Sequence, residues 1–244
     1  MNIAVMDLKI AVINFSGNMG KSTIVRHLLA PRMPNAEIFT IESINSDEME
    51  NNAQAKRMRG EEFGKLYARL LIVKSAIVDV GASNVEEFDL RMDEYEDSYN
   101  VFDMFVLPTL PDAKAQKDTR ATIEVLSLKG VGPEKIRVLF NKAPKPAQEP
   151  LSQAYSQIFQ THEQDRLFVL DPNVVLYQSG VFAAAAKAGV TVHELAGARD
   201  HYKTLIGEAT TDSERERLGF LTADASMAVG VNKQMEGVFR ALMG

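Results

Sequence analysis

Short apolar runs recur along the first two thirds of the chain, separated by longer stretches of helical periodicity. Residues 8–13 form the first run and Glu37-Ile38-Phe39-Thr40-Ile41 the second. A third opens at Ser75 and ends in Asp79-Val80-Gly81; Val101 to Pro108, Lys135 to Phe140 and Arg166 to Leu170 follow. Continuously apolar runs of this length suit strands buried on both faces. Between them, residues 22–30, 52–72, 85–100, 112–128, 151–161 and 176–188 read as helices. Phe63, Leu66, Tyr67, Leu70 and Leu71 make one apolar stripe, Pro31 and Pro34 end the first helix, and Gly189 ends the last. Strands alternating with helices predict an α/β fold, a doubly wound and mostly parallel sheet covered on both faces. Residues 198–244 carry no strand signal. Thr211-Asp212-Ser213-Glu214 is a helix start, and Met227, Val231, Met235, Val238, Phe239 and Leu242 fall at helical intervals. The expected organisation is a domain over 1–197 and a helical extension over 198–244, packed on that domain or on a dimer partner.

The polar segments at the ends of the apolar runs carry the chemistry. Asn14-Phe15-Ser16-Gly17-Asn18-Met19-Gly20-Lys21-Ser22-Thr23 lies between the first run and the first helix. Strand, small-residue loop, Gly-Lys-Ser and helix, in that order, are the layout of a phosphate-binding P-loop. Main-chain N–H groups of such a loop point at an anion, and the following helix offers it a positive end. Lys21 would reach the outer phosphates and the Ser22 hydroxyl would hold magnesium. A strict Walker A loop has its first glycine where this chain has Phe15, whereas Gly17 and Asn18 both tolerate unusual backbone angles. The competing reading is an ordinary strand-to-helix turn, which the flanking strand and helix disfavour.

Asp79 ends its strand before Gly81 and small residues, as a Walker B aspartate does, placed to bind a magnesium-bound water. A strand-end aspartate capping the next turn has the same local pattern. Glu42 to Glu48, Asn141-Lys142 and Asp171-Pro172-Asn173 are the polar ends of three other runs, where ligands of open α/β sheets gather. The acidic residues between Glu86 and Asp97 sit at helical spacing around Phe88, Leu90 and Tyr95 and read as a solvated helix face, not a metal cluster. Lys56-Arg57-Met58-Arg59 reads as another solvated helix face. The histidines show no ligand spacing.

A formal net charge of −6 gives no strong signal for direct DNA binding. The absence of cysteine excludes a disulfide framework and thiolate metal sites. No apolar run is long enough to span a bilayer, and residues 1–7 have no secretory pattern, so a cytoplasmic setting is expected. The final stretch has only Lys233 and Arg240 as cations, which suits core or dimer packing better than membrane contact.

The P-loop, the Asp79 strand, Leu107-Pro108 followed by Pro111-Asp112, the Asn141-Lys142 strand end and Asp171-Pro172-Asn173 together resemble the ParA/MinD group of P-loop ATPases. Within that group the order is most similar to the StbB-type proteins of plasmid stability and conjugation operons. The resemblance covers about residues 8–197. It implies ATP and Mg2+ as ligands, an ATP-dependent homodimer acting as a nucleotide switch in plasmid stability, partition or conjugation, and a small plasmid-encoded DNA-binding partner. It implies that Ser16 to Thr23 form the phosphate loop and that Ser22 and Asp79 serve the metal. It also implies that Asn141, with Lys142 beside it, faces the adenine edge, and that Pro172-Asn173 flanks the base. On the residues alone, Asn141 reads equally as a strand-end turn residue.

Two departures bear on catalysis. The signature lysine of the family's loop, which crosses the dimer to the partner's phosphates, is Ser16 here. The family's water-orienting aspartate after the second strand has no aligned counterpart; Glu42 is the nearest carboxylate, with Asn45 and Asp47 as looser candidates. With Lys21, Glu42 and Asp79 as the catalytic set, weak ATP hydrolysis, slow or partner-stimulated, is expected. Two alternatives stand beside it: a nucleotide-binding interaction module without hydrolysis, and a P-loop small-molecule kinase using Arg57, Arg59 or Arg120.

Overall fold

The computed structural model describes residues 7–42, 55–59 and 62–244. Most of the loop after the second strand, with Asn45 and Asp47, lies outside the described residues, as do the first residues of the helix expected from 52. The chain divides into one unit ending at Gln178 and a second spanning Ser179–Met243.

The first unit is built on seven strands: β1 Lys9–Val12, β2 Glu37–Ile41, β3 Ala55–Met58, β4 Ala76–Val80, β5 Met104–Thr109, β6 Ile136–Ala143 and β7 Val175–Tyr177. Their order across the sheet is β3-β2-β4-β1-β5-β6-β7, and every pairing is parallel. All carboxyl ends therefore lie along one edge, and the loop after β1 opens at its middle, between the ends of β4 and β5. The register sets Val12 and Thr40 on either side of Asp79.

Alternation along the strands divides the sheet's burial between two faces. Ala11, Val78, Phe105, Leu107, Val138 and Phe140 share one core with α2 (Phe63–Ile72), α3 (Val85–Asp93), α4 (Ala113–Leu128) and α6 (Ser156–Asp165). The helical segment Lys21–Arg32 packs against β4. It begins as α1 (Lys21–Ile24), widens to a π-turn over Val25–Leu29 and tightens to a 3-10 turn over Ala30–Arg32. The Arg32 guanidinium donates to the His27 and Leu28 carbonyls, which satisfies acceptors at the end of this segment.

The structure corrects several sequence-based elements. Lys56-Arg57-Met58 belongs to edge strand β3, not to a helix; the following helix starts only at Phe63. The helix expected over 85–100 stops at Asp93, and a 3-10 turn covers Ser98–Val101. Its acidic face is partly neutralised: Glu87 and Glu94 meet Arg91, while Asp89 and Asp93 meet Lys129. The helix expected over 151–161 is broken at Tyr155 into α5 (Leu151–Ala154) and α6. Arg166 to Leu170 is no strand; only Val169 bridges to Arg137, and the last strand is β7. Three strand residues, Val175-Leu176-Tyr177, displace the start of the Ala-rich helix to Val181.

The second unit is helical: α7 Val181–Ala188, α8 Val192–Gly197, α9 Arg199–Glu208 and α10 Asp212–Met243. It begins ahead of the 197/198 boundary expected from the sequence because α7 and α8 pack on α10. Gly189, at φ 71°, closes α7, and Thr191 with Glu194 makes a capping box at the start of α8. The Thr211 hydroxyl accepts the Glu214 N–H at 3.3 Å where α10 begins. Leu218, Ala225, Ala228, Met235, Phe239 and Leu242 are buried along α10 at near-heptad spacing. Among the described residues no helix is long and apolar enough to cross a membrane.

Candidate nucleotide-binding site

The loop after β1 is fastened at its entrance to α4. Asn14 is fully buried; its Nδ2 donates to the Pro108 carbonyl and to Thr119 Oγ1, each at 2.9 Å. Its Oδ1 accepts the Ser16 N–H at 2.8 Å. The Phe15 N–H donates to Thr122 Oγ1 at 3.3 Å, and the nearby Asp118 carboxyl is held below its usual range by Lys114 and then, against some burial, by the Ser16 side chain. Phe15 replaces the first Walker A glycine and packs its ring against the core instead.

The loop then turns over the sheet edge. An added Cβ on Gly17 would lie 4.0 Å from that of Ala82, so the loop passes beside the turn after β4. Asn18 and Gly20 adopt left-handed angles, with φ of 58° and 83°. The expectation that Asn18 tolerates this conformation thus matches its backbone. The Met19 carbonyl accepts Asn141 Nδ2 at 2.8 Å, and the Ile24 N–H donates back to the Gly20 carbonyl as α1 starts. Ser22 and Thr23 occupy the first turn of α1.

Lys21 is 7% exposed, and its ammonium donates to the Asn14 carbonyl at 3.1 Å and the Ser16 carbonyl at 2.9 Å. The loop thus curls around its own lysine. Burial pushes the Lys21 pKa down to about 8, against the opposing pull of the Asp79 carboxylate. Asp79 is itself buried, on β4 beside β1. Two opposite charges and the hydroxyl-bearing first turn of α1 therefore lie together where β1 and β4 end.

The remaining candidates distribute around this centre. Glu42 stands just past β2, its N–H donating to the Met58 carbonyl at 3.1 Å. Gly81 brings the ends of β2 and β4 together: its N–H donates to the Ile41 carbonyl at 2.9 Å, and an added Cβ would lie 3.9 Å from Glu42 Cγ. Asn141 is buried near the end of β6, and Lys142 after it is exposed, at φ 53°. Pro172 and Asn173 sit in the turn ahead of β7, not at the carboxyl end of a strand; Asp171 closes that turn by accepting the Asn173 N–H. Of the arginines considered for a kinase, Arg57 lies on edge strand β3, Arg59 just after it and Arg120 on α4.

Sequence reasoning missed the α4 residues that hold the loop, Asp118, Thr119 and Thr122, and Tyr155, which holds Asn141. Asp118, Thr119 and Thr122 fall on one face of α4 by their spacing, which was the available signal.

No protein-family model matches the chain, and no curated protein is significantly similar to it in sequence. Solved structures do match. Apo McdA from Cyanothece aligns with a TM-score of 0.53 at 15% identity, covering 91% of this chain and 99% of that one. Cyanothece McdA in a complex of a variant with ATP aligns at 0.50 and 15% identity, covering 92% and 96%. The fold is the ParA/MinD-type P-loop fold. MinD of Pyrococcus horikoshii complexed with Mg-ADP gives a lower TM-score, 0.46 at 10% identity, covering 92% and 98%.

Gly20 is the residue this loop can least exchange. A Cβ there would lie 2.4 Å from Asn141 Nδ2, on a backbone already at φ 83°. Gly20→Ala is expected to destabilise the protein by about 2 kcal/mol or more, the sum of a left-handed alanine and a forced contact. Chemical denaturation of both proteins measures it; a change under about 0.5 kcal/mol, the range of an ordinary surface substitution, would contradict this geometry.

Proposed function

We propose that this protein is a nucleotide switch of ParA/MinD type, which binds ATP with magnesium and dimerises around it. The observation that carries this reading is the loop of left-handed turns closed on a buried Lys21, with Asp79 beside it. Backbone amides and one ammonium suit a polyphosphate tail, and α1 begins where the anion would sit. The Ser22 hydroxyl and the Asp79 carboxylate are hard oxygen donors, a set that fits Mg2+ completed by water and phosphate oxygens. Bound there, the metal would neutralise charge on the outer phosphates. McdA's complex with ATP on the same fold supports the nucleotide class.

The finer reading, a plasmid stability, partition or conjugation protein with a small DNA-binding partner, is supported by the StbB-like order of motifs. The small-molecule kinase is disfavoured by the spread of Arg57, Arg59 and Arg120 over the far edge strand and a helix.

Calorimetric titration with a non-hydrolysable ATP analogue and Mg2+, followed by sedimentation, tests the proposal. Saturable binding and a shift from monomer to dimer are expected; indifference to all adenine and guanine nucleotides at millimolar concentration would overturn it. The affinity is also expected to depend on pH. In the free protein Lys21 loses its proton near pH 8, below the usual 10.5, whereas a bound triphosphate favours the charged form. Affinity should hold below pH 8 and fall above it, by up to about tenfold per pH unit. Stability moves the other way: a buried charged lysine opposes folding below pH 8, and that penalty disappears as pH rises toward 10.5.

A further inference from the structure

Asn14 stands where β1 passes into the loop, and its carboxamide lies between α4 and Ser16. Nδ2 sits against two oxygens, the Pro108 carbonyl on β5 and Thr119 Oγ1 on α4. A carbonyl can only accept. The Thr119 hydroxyl can here only accept as well, because its one hydrogen goes to the Ala115 carbonyl of its own helix at 2.8 Å. Two acceptors on that side decide which end of the carboxamide faces them: it must be the NH2. Oδ1 is thereby turned to the loop, where it accepts the Ser16 N–H. The two residues joined by that bond, Asn14 and Ser16, are the ones whose main-chain carbonyls hold the Lys21 ammonium. Each donor in this relay is thus assigned by the link before it, from the Ala115 carbonyl to Lys21.

We infer that Thr119 of α4 is a positioning residue for Lys21: its hydroxyl orients the Asn14 carboxamide, which holds the two carbonyls that aim the ammonium. This rests on the nucleotide-binding reading above. Flipped, the carboxamide would set its oxygen against two acceptors and its NH2 against the Ser16 N–H, so the buried group has one satisfied orientation. Without the Thr119 oxygen that orientation keeps one acceptor fewer, and the bond to Ser16 opens more often. The consequence is that a hydroxyl on α4 governs affinity for the phosphate tail through Lys21, whatever base the tail carries.

The test uses the full chain with Thr119→Val, which keeps the shape and the branching but removes the acceptor. Thr119→Ser restores the hydroxyl. Thr119→Cys, whose thiol is a poor acceptor, is the second variant should valine fail to fold, and circular dichroism melting checks all of them. Thr161→Val is the control: Thr161 is also buried and also donates to the carbonyl one turn back, but on α6. Two readouts are taken. Hydrogen exchange of the Ser16 N–H, followed by NMR, reads the clasp without any ligand. Calorimetric titration with tripolyphosphate and with a non-hydrolysable ATP analogue, each with Mg2+, reads the grip on phosphate. In Thr119→Val and Thr119→Cys, Ser16 exchange is expected to quicken and both affinities to fall, each by about five- to tenfold, the effect of one lost buried hydrogen bond. Thr119→Ser should return both to the parent values, and Thr161→Val should move neither. Unchanged Ser16 exchange, faster exchange with unchanged affinity, or a serine variant as weak as valine would each overturn the inference alone. A parent protein that binds neither ligand would bring down the nucleotide reading and this inference with it, before any substitution is made.

Discussion

Replacing Lys21 with alanine is expected to remove triphosphate binding and leave the fold nearly as stable as before. The two halves of this result have one cause. Lys21 is held in a buried site where its charge is disfavoured, with only two loop carbonyls and the neighbouring Asp79 to compensate. Taking away the ammonium relieves its own desolvation, and that gain is set against two lost hydrogen bonds and an Asp79 left without its cation. Stability should therefore stay within about 1 kcal/mol, a small change for a buried site. A triphosphate entering the Lys21→Ala loop would meet Asp79 without the opposing cation. The loss in affinity should be roughly 100-fold or more, as when one partner of a buried charge pair is removed. Calorimetry and chemical denaturation of the same preparations check both halves. Retained affinity would remove Lys21 from the site, and a large loss of stability would make its role structural.

The second large effect is a gain. Family resemblance puts a phosphate-bridging lysine where this chain has Ser16, and a cation acting only on the transition state is worth on the order of 10³-fold in phosphoryl transfer. Ser16→Lys is expected to raise ATP turnover, but the single change is compromised by its surroundings. The Ser16 side chain already meets Asp118, so a new ammonium would be drawn to that carboxylate within its own subunit. Ser16→Lys with Asp118→Asn should release it, and the double variant should hydrolyse ATP at least about 100-fold faster than the parent. Phosphate release under multiple turnover measures this. If neither variant exceeds the parent, the chain is better described as a nucleotide-binding module that lacks the rest of a hydrolytic site, with Glu42 in no position to orient water.

The parts of the fold legible from residue pattern were those where the pattern has one cause. The Glu37–Ile41 strand has the boundaries expected of it, because its apolar residues Ile38, Phe39 and Ile41 are all buried between two neighbouring strands. The loop after β1 was legible for a similar reason: few residues other than glycine and asparagine accept the backbone angles found at Gly20 and Asn18. Edge strand β3 was not. Ala55-Lys56-Arg57-Met58 pairs with one neighbour only, so its exposed side takes charged residues and resembles a helix face. β7 was obscured by its length: three residues give no period to read. Nor did the sequence reveal the widening of Lys21–Arg32 into a π-turn, since its apolar spacing is compatible with an ordinary helix. Among the site residues, Lys21 and Asp79 have local signatures, whereas the hold of Asn141 on Met19 joins positions 122 apart and leaves no mark in either neighbourhood.

The three anchors on α4 have a mechanical meaning. Asp118, Thr119 and Thr122 grip Ser16, Asn14 and Phe15 in turn, so the front of the loop is bolted to one side of that helix. Its opposite side presents Lys117, Ala121, Glu124 and Leu128 to solvent. A displacement of α4 along its axis is expected to carry Asn14, Phe15 and Ser16 with it.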